Sequence, residues 1–154
     1  MQAHWADVVR LGIAMFADET EAEEAAQQTF FKAYKAWDSF EGRSSVRTWL
    51  YRIAINVCRR NLTTRKRFQA ERFESHSEPT HPATDPREER MKEKVSQALK
   101  QLAPPHRLIL TLFCIDGMKH QEIARIFDVP EGTVWSRLHK AKQELRKELQ
   151  EIED

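Results

Sequence analysis

The chain has 154 residues, of which 40% are hydrophobic and 32% charged, and its formal net charge is +1. This length suits one medium domain or two small ones, and few glycines with abundant Glu, Lys, Arg, Ala and Leu favour an all-α fold. There is no glycine-rich phosphate loop, no nucleophile elbow and no His pair at zinc spacing, so we expect neither an enzyme nor a cofactor. No apolar run is long enough to cross a membrane.

The near-neutral total hides an uneven distribution of charge. Residues 43–72 contain nine Lys or Arg and a single acid, Glu71. Residues 18–24 contain five acids and no base, and the tail after Lys147 is also acidic. A basic block of this density is expected of a surface that binds phosphates, and too few acids lie nearby for a salt-bridged helical surface to explain it.

Apolar spacing predicts a first helical module over residues 1–74. Its first helix precedes the acidic segment, its second covers residues 21–37, and Ser44 or Ser45 caps a third. After the third helix the apolar pattern weakens, which predicts a polar loop over residues 61–67.

A proline-rich segment separates this module from the rest of the chain. Residues 75–90 hold three prolines, which predicts a flexible linker that permits closed and extended arrangements alike. Apolar spacing resumes at Met91, and Pro105 suits the first turn of the next helix. We therefore expect a second small helical domain over residues 91–154.

Residues 120–142 predict a helix, a sharp turn and a second helix. Pro130 and Gly132 break the first helix, and Thr133 is expected to cap the second. The apolar residues of the second helix face inward, which leaves a polar and basic outer surface. This layout is typical of a helix-turn-helix, whose second helix enters the DNA major groove, and the alternative is an ordinary helical hairpin with a solvated basic face.

Cysteine and histidine residues give no sign of a metal site. Cys58 and Cys114 lie far apart in apolar-periodic segments, so both are expected to be small core residues in a reducing cytosol. No Cys or His pair has ligand spacing. His120 and Glu122, at a helix start, are expected to be surface residues.

Aromatic residues crowd the first module directly ahead of the basic block, with seven between Phe30 and Tyr51. Most of them must be core residues, yet flat rings beside cations also suit the stacking of bases drawn out of a duplex. The Asn and Thr residues of the loop 61–67, where Arg65 is expected to open a short basic helix, can hydrogen-bond such a base. An ordinary surface turn is the alternative, and without other information it would be preferred.

Four stretches of the chain are similar to motifs of one family. They are EAEE followed by QQTF in residues 21–30, SSVRTWLYRIAIN in residues 44–56, LAPPHR in residues 102–107 and GTVWSRL in residues 132–138. With these motifs in this order, the chain resembles the extracytoplasmic-function (ECF) sigma factors of the sigma-70 family over nearly its whole length. The resemblance implies a cytoplasmic transcription initiation factor that directs core RNA polymerase to a subset of promoters.

The same resemblance implies a task for each module. The first would bind the polymerase clamp and open the downstream (minus-ten) element, and the second would bind the upstream (minus-thirty-five) element as duplex, close to the polymerase flap. The implied clamp contacts are Glu23, Glu24, Gln27, Gln28 and Phe31. The implied minus-ten contacts are Phe40, Asn56, Arg60, Asn61, Thr63, Thr64, Arg65 and Lys66. The implied minus-thirty-five contacts are Trp135, Ser136, Arg137, His139 and Lys140, with Lys119 and Arg125 on phosphates. An anti-sigma factor is a further implied partner.

Three features depart from the family pattern. Another helix usually precedes the first one, so this chain is expected to be short at its N-terminus. Gln28 stands where an acid is usual. Trp135 stands where a small or basic residue is common, and its indole could pack on a thymine methyl group, on a sugar or on a partner protein. Two other kinds of protein are weighed against the sigma factor: a stand-alone helix-turn-helix regulator and a protein–protein adaptor.

Overall fold

The computed structural model of the chain describes residues 2–68, with side chains up to Arg65, and residues 85–153. All regular structure in these ranges is helical, as the sequence predicted. The α-helices are α1 (Trp5–Phe16), α2 (Glu19–Ala36), α3 (Val46–Phe68), α4 (Pro86–Gln101), α5 (Pro104–Leu110), α6 (His120–Phe127) and α7 (Glu131–Glu153). Short 3₁₀ turns cover Gln2–His4 and Trp37–Ser39, and a π-helical turn covers Thr111–Ile115. Most of the predicted linker, residues 75–84, lies outside the described residues.

The helices α1, α2 and α3 form the first module. The carboxylate of Asp18 caps α2 by accepting the backbone N–H of Glu21 at 2.8 Å. Ser45 starts α3 as predicted, because its hydroxyl accepts the backbone N–H of Thr48 at 3.1 Å. The helices α1 and α2 approach each other closely at Gly12, where an added Cβ would lie 2.7 Å from the Cα of Ala22.

The end of α3 corrects the predicted loop. Residues 61–66 form the last turns of one continuous helix, and Arg65 lies inside that helix instead of opening a new one. The hydroxyls of Thr63 and Thr64 donate to the carbonyls of Arg59 and Arg60, at 3.0 and 3.1 Å, as threonines do within a helix. The apolar pattern weakened in the sequence because Leu62 is the one apolar residue between 61 and 65 that packs against the core, not because the helix stops.

The second module consists of α4 to α7, and α4 begins ahead of the predicted domain boundary at residue 91. The carboxylate of Asp85 accepts the backbone N–H of Arg87 at 3.1 Å, and Pro86 occupies the first turn. The helix can therefore start at Pro86, although the first turn adds no buried residue that apolar spacing could have revealed.

The π-helical turn after α5 corrects one of the two cysteine predictions. Cys58 is buried as predicted, but Cys114 is exposed. A π-helical turn holds more residues than an α-helical turn, so it moves Cys114 out of the apolar row that the sequence suggested.

The helices α6 and α7 form the predicted helix-turn-helix, but the turn is built differently. Asp128, with φ of +54°, ends α6, and α7 already begins at Glu131. The carbonyl of Pro130 accepts the backbone N–H of Thr133 at 3.0 Å, so Gly132 and Thr133 lie inside α7. The prediction that Gly132 breaks the chain and Thr133 caps the helix is therefore wrong, because Asp128 supplies the left-handed residue. The inward face of α7 is as predicted, with Val134, Leu138 and Ala141 buried.

The two modules are in direct contact, through α1 with α5 and through α3 with α6. Buried apolar residues of both modules belong to one hydrophobic cluster. Arg107 of α5 adds a polar link, because its Nε donates to the carbonyl of Ala14 in α1 at 2.8 Å. Burial, together with the charge of Arg65, lowers the pKa of Arg107. Of the closed and extended arrangements predicted for the two modules, the described residues adopt the closed one.

Asp116 is the centre of the polar contacts between the modules. Its side chain is fully buried, and its carboxylate pairs with Arg10 and with Arg47, the latter at 3.7 Å. The hydroxyl of Tyr51 donates to the same carboxylate at 3.2 Å. Burial opposes the charge of Arg10, but the hydrogen bond and the charge of Asp116 outweigh it and raise the pKa of that guanidinium. One acid of the second module therefore holds three side chains of the first.

Candidate nucleic-acid and polymerase interfaces

The outer face of α7 carries all five residues predicted to contact the upstream element. They are exposed, as are the two predicted phosphate contacts: Trp135, Ser136, Arg137, His139, Lys140, Lys119 and Arg125. Successive residues of an α-helix are about 100° apart, so Trp135 and Arg137 lie on opposite edges of this face. Between residues 132 and 142 the helix carries three cations and no acid. The face can therefore attract phosphates while its side chains meet base edges.

Aromatic rings support both edges of this face. The guanidinium of Arg137 lies 5.9 Å from the ring centroid of Phe127, within reach of a cation–π contact. The indole of Trp135 stacks on His120, with ring centroids 3.8 Å apart and an angle of 10° between the planes. Both edge residues thus have a defined position before any ligand binds.

The Arg137 edge adjoins a cavity of about 400 Å³ at the junction of the modules. Its walls include Arg59 of α3 together with Arg137 and Lys140 of α7, and none of its lining residues is acidic. Arg59 also lies 5.5 Å from the ring centroid of Phe127, on which Arg137 packs. The contact between the modules therefore places cations of both, Arg59 on one side and Arg137 and Lys140 on the other, around the same cavity.

The residues predicted to contact the polymerase clamp share the outward face of α2. All five are exposed: Glu23, Glu24, Gln27, Gln28 and Phe31. Phe31 is 60% exposed, and the Nζ of Lys35 lies 4.5 Å from its ring centroid. Phe31 lies at the C-terminal end of an acidic and amide-rich face, and among the described residues most of its ring stays outside the core, which favours a binding surface.

A row of aromatic and basic residues, the α3 stripe, follows the outward face of α3. It consists of Trp49, Arg52, Asn56, Arg60 and Thr63, which recur at helical spacing. The stripe spans roughly 21 Å at 1.5 Å per residue. At its start Trp49 meets Phe40 and Trp37, with ring centroids 5.1 and 5.9 Å away. Rings at one end and cations along its length suit an unpaired strand.

The remaining predicted minus-ten residues are placed differently. The guanidinium of Arg65 points toward α1 and α2. It donates to the carbonyl of Phe16 at 3.2 Å and lies 3.3 Å from the carboxylate of Glu21. Asn61 donates to the side-chain oxygen of Gln28 at 3.1 Å, which joins the end of α3 to the clamp face. The side chain of Lys66 lies outside the described residues.

Two residues of these surfaces were missed by sequence reasoning. Arg59 lies in the basic block, but only the fold shows that it faces Phe127 of the other module. His120 was expected to be a plain surface residue, yet it is half-buried between Phe113 and Trp135. No local pattern joins these residues, because each contact crosses between different elements.

The described part of the chain has no other obvious site. Within residues 2–68 and 85–153, no group of three or more His, Cys, Asp or Glu is placed to hold a metal ion. None of the helices in these two ranges is both long and apolar enough to span a bilayer.

Comparison with known families matches both modules in the same order. Sigma-70 region 2 matches residues 1–68, and sigma-70 region 4 matches residues 92–145. Among similar proteins, the ECF RNA polymerase sigma-E factor of Escherichia coli (strain K12) is 32% identical, over 91% of this chain and 80% of the relative. The RNA polymerase sigma-H factor of Pseudomonas aeruginosa is 33% identical, over 94% of this chain and 81% of the relative.

Solved structures share the fold. The sigma factor RpoE of Bartonella quintana, crystallised with the anti-sigma factor NepR, aligns with a TM-score of 0.80 at 23% identity, over 97% of this chain and 93% of that one. CnrH in complex with the cytosolic domain of CnrY aligns with a TM-score of 0.68 at 23% identity, over 97% and 84%.

The matches to sigma-70 regions 2 and 4, in this order along an all-α chain, place the protein among the transcription initiation factors. Within that class, the chain is a member of the ECF sigma factors of the sigma-70 family. It is therefore a factor that directs RNA polymerase to promoters, as the sequence resemblance predicted.

Proposed function

We propose that the three exposed faces divide promoter recognition between them. The outer face of α7 binds the upstream element as duplex, with Lys119 and Arg125 on flanking phosphates. The α3 stripe takes the unpaired strand of the downstream element, and the outward face of α2 binds the polymerase clamp. The second module lies near the polymerase flap in this arrangement.

The observation that carries this proposal is the α3 stripe. Duplex binding by α6 and α7 does not require the three clustered rings of Trp37, Phe40 and Trp49, or the cations that follow them on α3. An unpaired strand does, because its bases stack on rings while its phosphates follow the cations. Asn56 and Arg60, in the middle of the stripe, are exposed and can meet a base edge or a phosphate.

The clamp face on α2 is linked to α3, the helix that carries the stripe. Asn61, next to the stripe on α3, donates a hydrogen bond to Gln28 on the outward face of α2. Polymerase bound to α2 would therefore set the position of the stripe over the opened strand. An acidic face with one exposed ring also suits a basic partner surface.

An anti-sigma factor is part of the proposal. The sigma factor RpoE, which shares this fold, was crystallised in complex with the anti-sigma factor NepR. A protein partner of this kind would have the exposed ring of Phe31 on the clamp face available to it.

In vitro transcription tests the division of tasks. The full chain and core polymerase are incubated with a pool of genomic promoter fragments, and the transcripts are sequenced. Promoter-specific transcripts are expected, and the variant Arg60→Ala should lose open-complex formation on the same promoters more than duplex binding. Binding of promoter duplex without polymerase, and no transcript above the core background, would favour a stand-alone helix-turn-helix regulator instead.

A further inference from the structure

Three rings from three consecutive elements form a series on the surface of the second module. Phe113 of the π-helical turn lies 4.9 Å from the ring of His120, at the start of α6. His120 in turn lies 3.8 Å from the indole of Trp135 on α7, nearly parallel to it. The ammonium group of Lys142 lies 4.9 Å from the outer ring, Phe113. Within the helix-turn-helix, His120 of α6 thus packs against Trp135 on the outer face of α7.

Phe113 packs against the core of the module, but the indole of Trp135 does not. Val134, Leu138 and Ala141 already fill the inward face of α7, each at 2% exposure or less. Trp135 is 59% exposed, so His120 covers part of the indole and leaves the rest to solvent. A large apolar surface kept outside the core, in a defined position, is a feature of binding residues.

The chemistry of the exposed indole limits what it can recognise. It has one N–H donor and no acceptor, and most of its surface is apolar. Base pairs present mainly polar groups in the major groove, and the thymine C5-methyl group is the apolar exception. Trp135 lies at one edge of a face that carries cations and no acid between residues 132 and 142, which suits DNA better than a basic or an apolar protein surface.

We propose that Trp135 reads the C5-methyl group of one thymine in the upstream element, and that His120 is a positioning residue that holds the indole for this contact. This inference rests on the proposed function, in which α7 binds that element. His120 restricts the rotamers of Trp135 before DNA binds, so less side-chain freedom is lost on binding. Trp135 would thereby make the protein prefer thymine to cytosine at one position.

Removing single methyl groups from DNA tests the contact directly. On a promoter selected by transcription, each thymine of the upstream element is replaced in turn by deoxyuridine, and the affinity of the holoenzyme is measured. One replacement should weaken binding by the wild type about fourfold, the value expected for burying one methyl group. In Trp135→Ala the same replacement should have no effect, while the effects of the other replacements persist.

Two further variants isolate the role of His120. His120→Ala should reduce the methyl effect at that one position, and His120→Phe should retain it because the ring is kept. Trp5→Ala is the matched control, since Trp5 is also a partly exposed indole stacked on a ring, at 5.6 Å from Phe30, but lies in the first module. It should leave the whole deoxyuridine profile unchanged.

Several outcomes would overturn the proposal. One is that no deoxyuridine replacement depends on Trp135, or that the element contains no thymine near α7. Another is that Trp135→Ala weakens the complex with core polymerase instead of DNA binding, which would assign the indole to a protein interface. If Arg137→Ala and Lys140→Ala also leave upstream binding intact, the proposed function fails as well. If they weaken binding while the methyl effect is absent, only the role of Trp135 is refuted.

Discussion

Gly12 lies where the first module leaves no room for a side chain. A Cβ there would lie 2.7 Å from both the Cα and the Cβ of Ala22, and the Ala22 backbone cannot move aside without shifting α2. The close approach brings together α1 and the helix that carries the clamp face. Glycine is needed at this position for packing, whatever the protein binds.

Gly12→Ala should lower the free energy of unfolding by about 1–3 kcal/mol, the usual cost of overpacking. Gly132→Ala is the matched control, because a Cβ there meets nothing within 4 Å and the residue lies in the first turn of α7. It should leave stability unchanged or raise it by up to about 1 kcal/mol. Denaturant unfolding of both variants measures the difference, and equal stabilities would contradict the close contact of α1 with α2.

Arg137 offers a second test with a single residue. Its guanidinium is exposed at the edge of the α7 face and rests on Phe127. Arg137→Ala should weaken binding to the upstream element by about 1–3 kcal/mol if it contacts a base edge. Arg87→Ala removes the same charge at the start of α4 and should have little effect. Fluorescence anisotropy with promoter duplex at fixed salt measures both, and equal losses would mean that only the net charge matters.

The outward face of α2 is the element on which the polymerase contact depends. Phe31 lies toward its C-terminal end and makes little contact with the core. Phe31→Ala should therefore weaken binding to core polymerase at least severalfold, because a desolvated aromatic residue is a common centre of protein interfaces. The melting temperature should stay within a few degrees of the wild type.

Met91→Ala is the control for that prediction. Met91 is 57% exposed on α4, close to the 60% of Phe31, so both variants remove a similar exposed apolar group. Core polymerase affinity should not change in Met91→Ala. A loss of equal size in both variants would point to general surface hydrophobicity as the cause.

The elements themselves were largely predictable from the sequence, whereas several of their ends were not. Apolar spacing predicted the helices of both modules, because burial on one face sets that spacing. It failed near the end of α3, where Leu62 alone packs against the core and sets no repeating pattern. It also failed at the start of α7, because the left-handed turn residue proved to be Asp128 and not Gly132.

The candidate faces were predicted through the family resemblance more than through physical pattern. Without the resemblance, the residues near Asn61 indicated an ordinary surface turn, and no function could be predicted for Trp135. Contacts such as that of Asp116 with Arg10 join residues that lie 106 positions apart, so no local pattern can indicate them. Sequence patterns therefore identified which residues are exposed on each helix, but not which faces meet across the junction of the modules.

On the scale of the whole molecule, Tyr51 makes the junction of the modules sensitive to alkaline pH. Burial raises its pKa from 10.0 to about 12, and the nearby charge of Asp116 adds to the shift, while Arg47 opposes it. Because the folded protein holds this proton more tightly than the unfolded chain, the resulting stability is complete below pH 10. It is lost as the pH rises from 10 through 12.

Tyr51→Phe should reduce that alkaline loss, and it should cost about 1 kcal/mol at neutral pH because the hydrogen bond to Asp116 is removed. Cys58, whose pKa burial also raises to about 12, titrates in both proteins and cancels in the comparison. Unfolding by urea at several pH values measures the effect. Tyr34→Phe, at a position that is 72% exposed, should match the wild type at neutral pH. An unchanged alkaline slope in Tyr51→Phe would contradict the buried hydroxyl.

The apolar core shared by the two modules also affects how tightly a ligand can bind if that ligand needs the modules apart. A ligand that requires the modules to separate binds only the fraction of molecules that is open, so its apparent dissociation constant equals the intrinsic one divided by that fraction. Residues such as Ala14 and Arg107, which touch no ligand in the proposed scheme, would then change promoter affinity by changing the open population. A substitution at the junction can thus mimic a change in DNA recognition without altering any DNA contact.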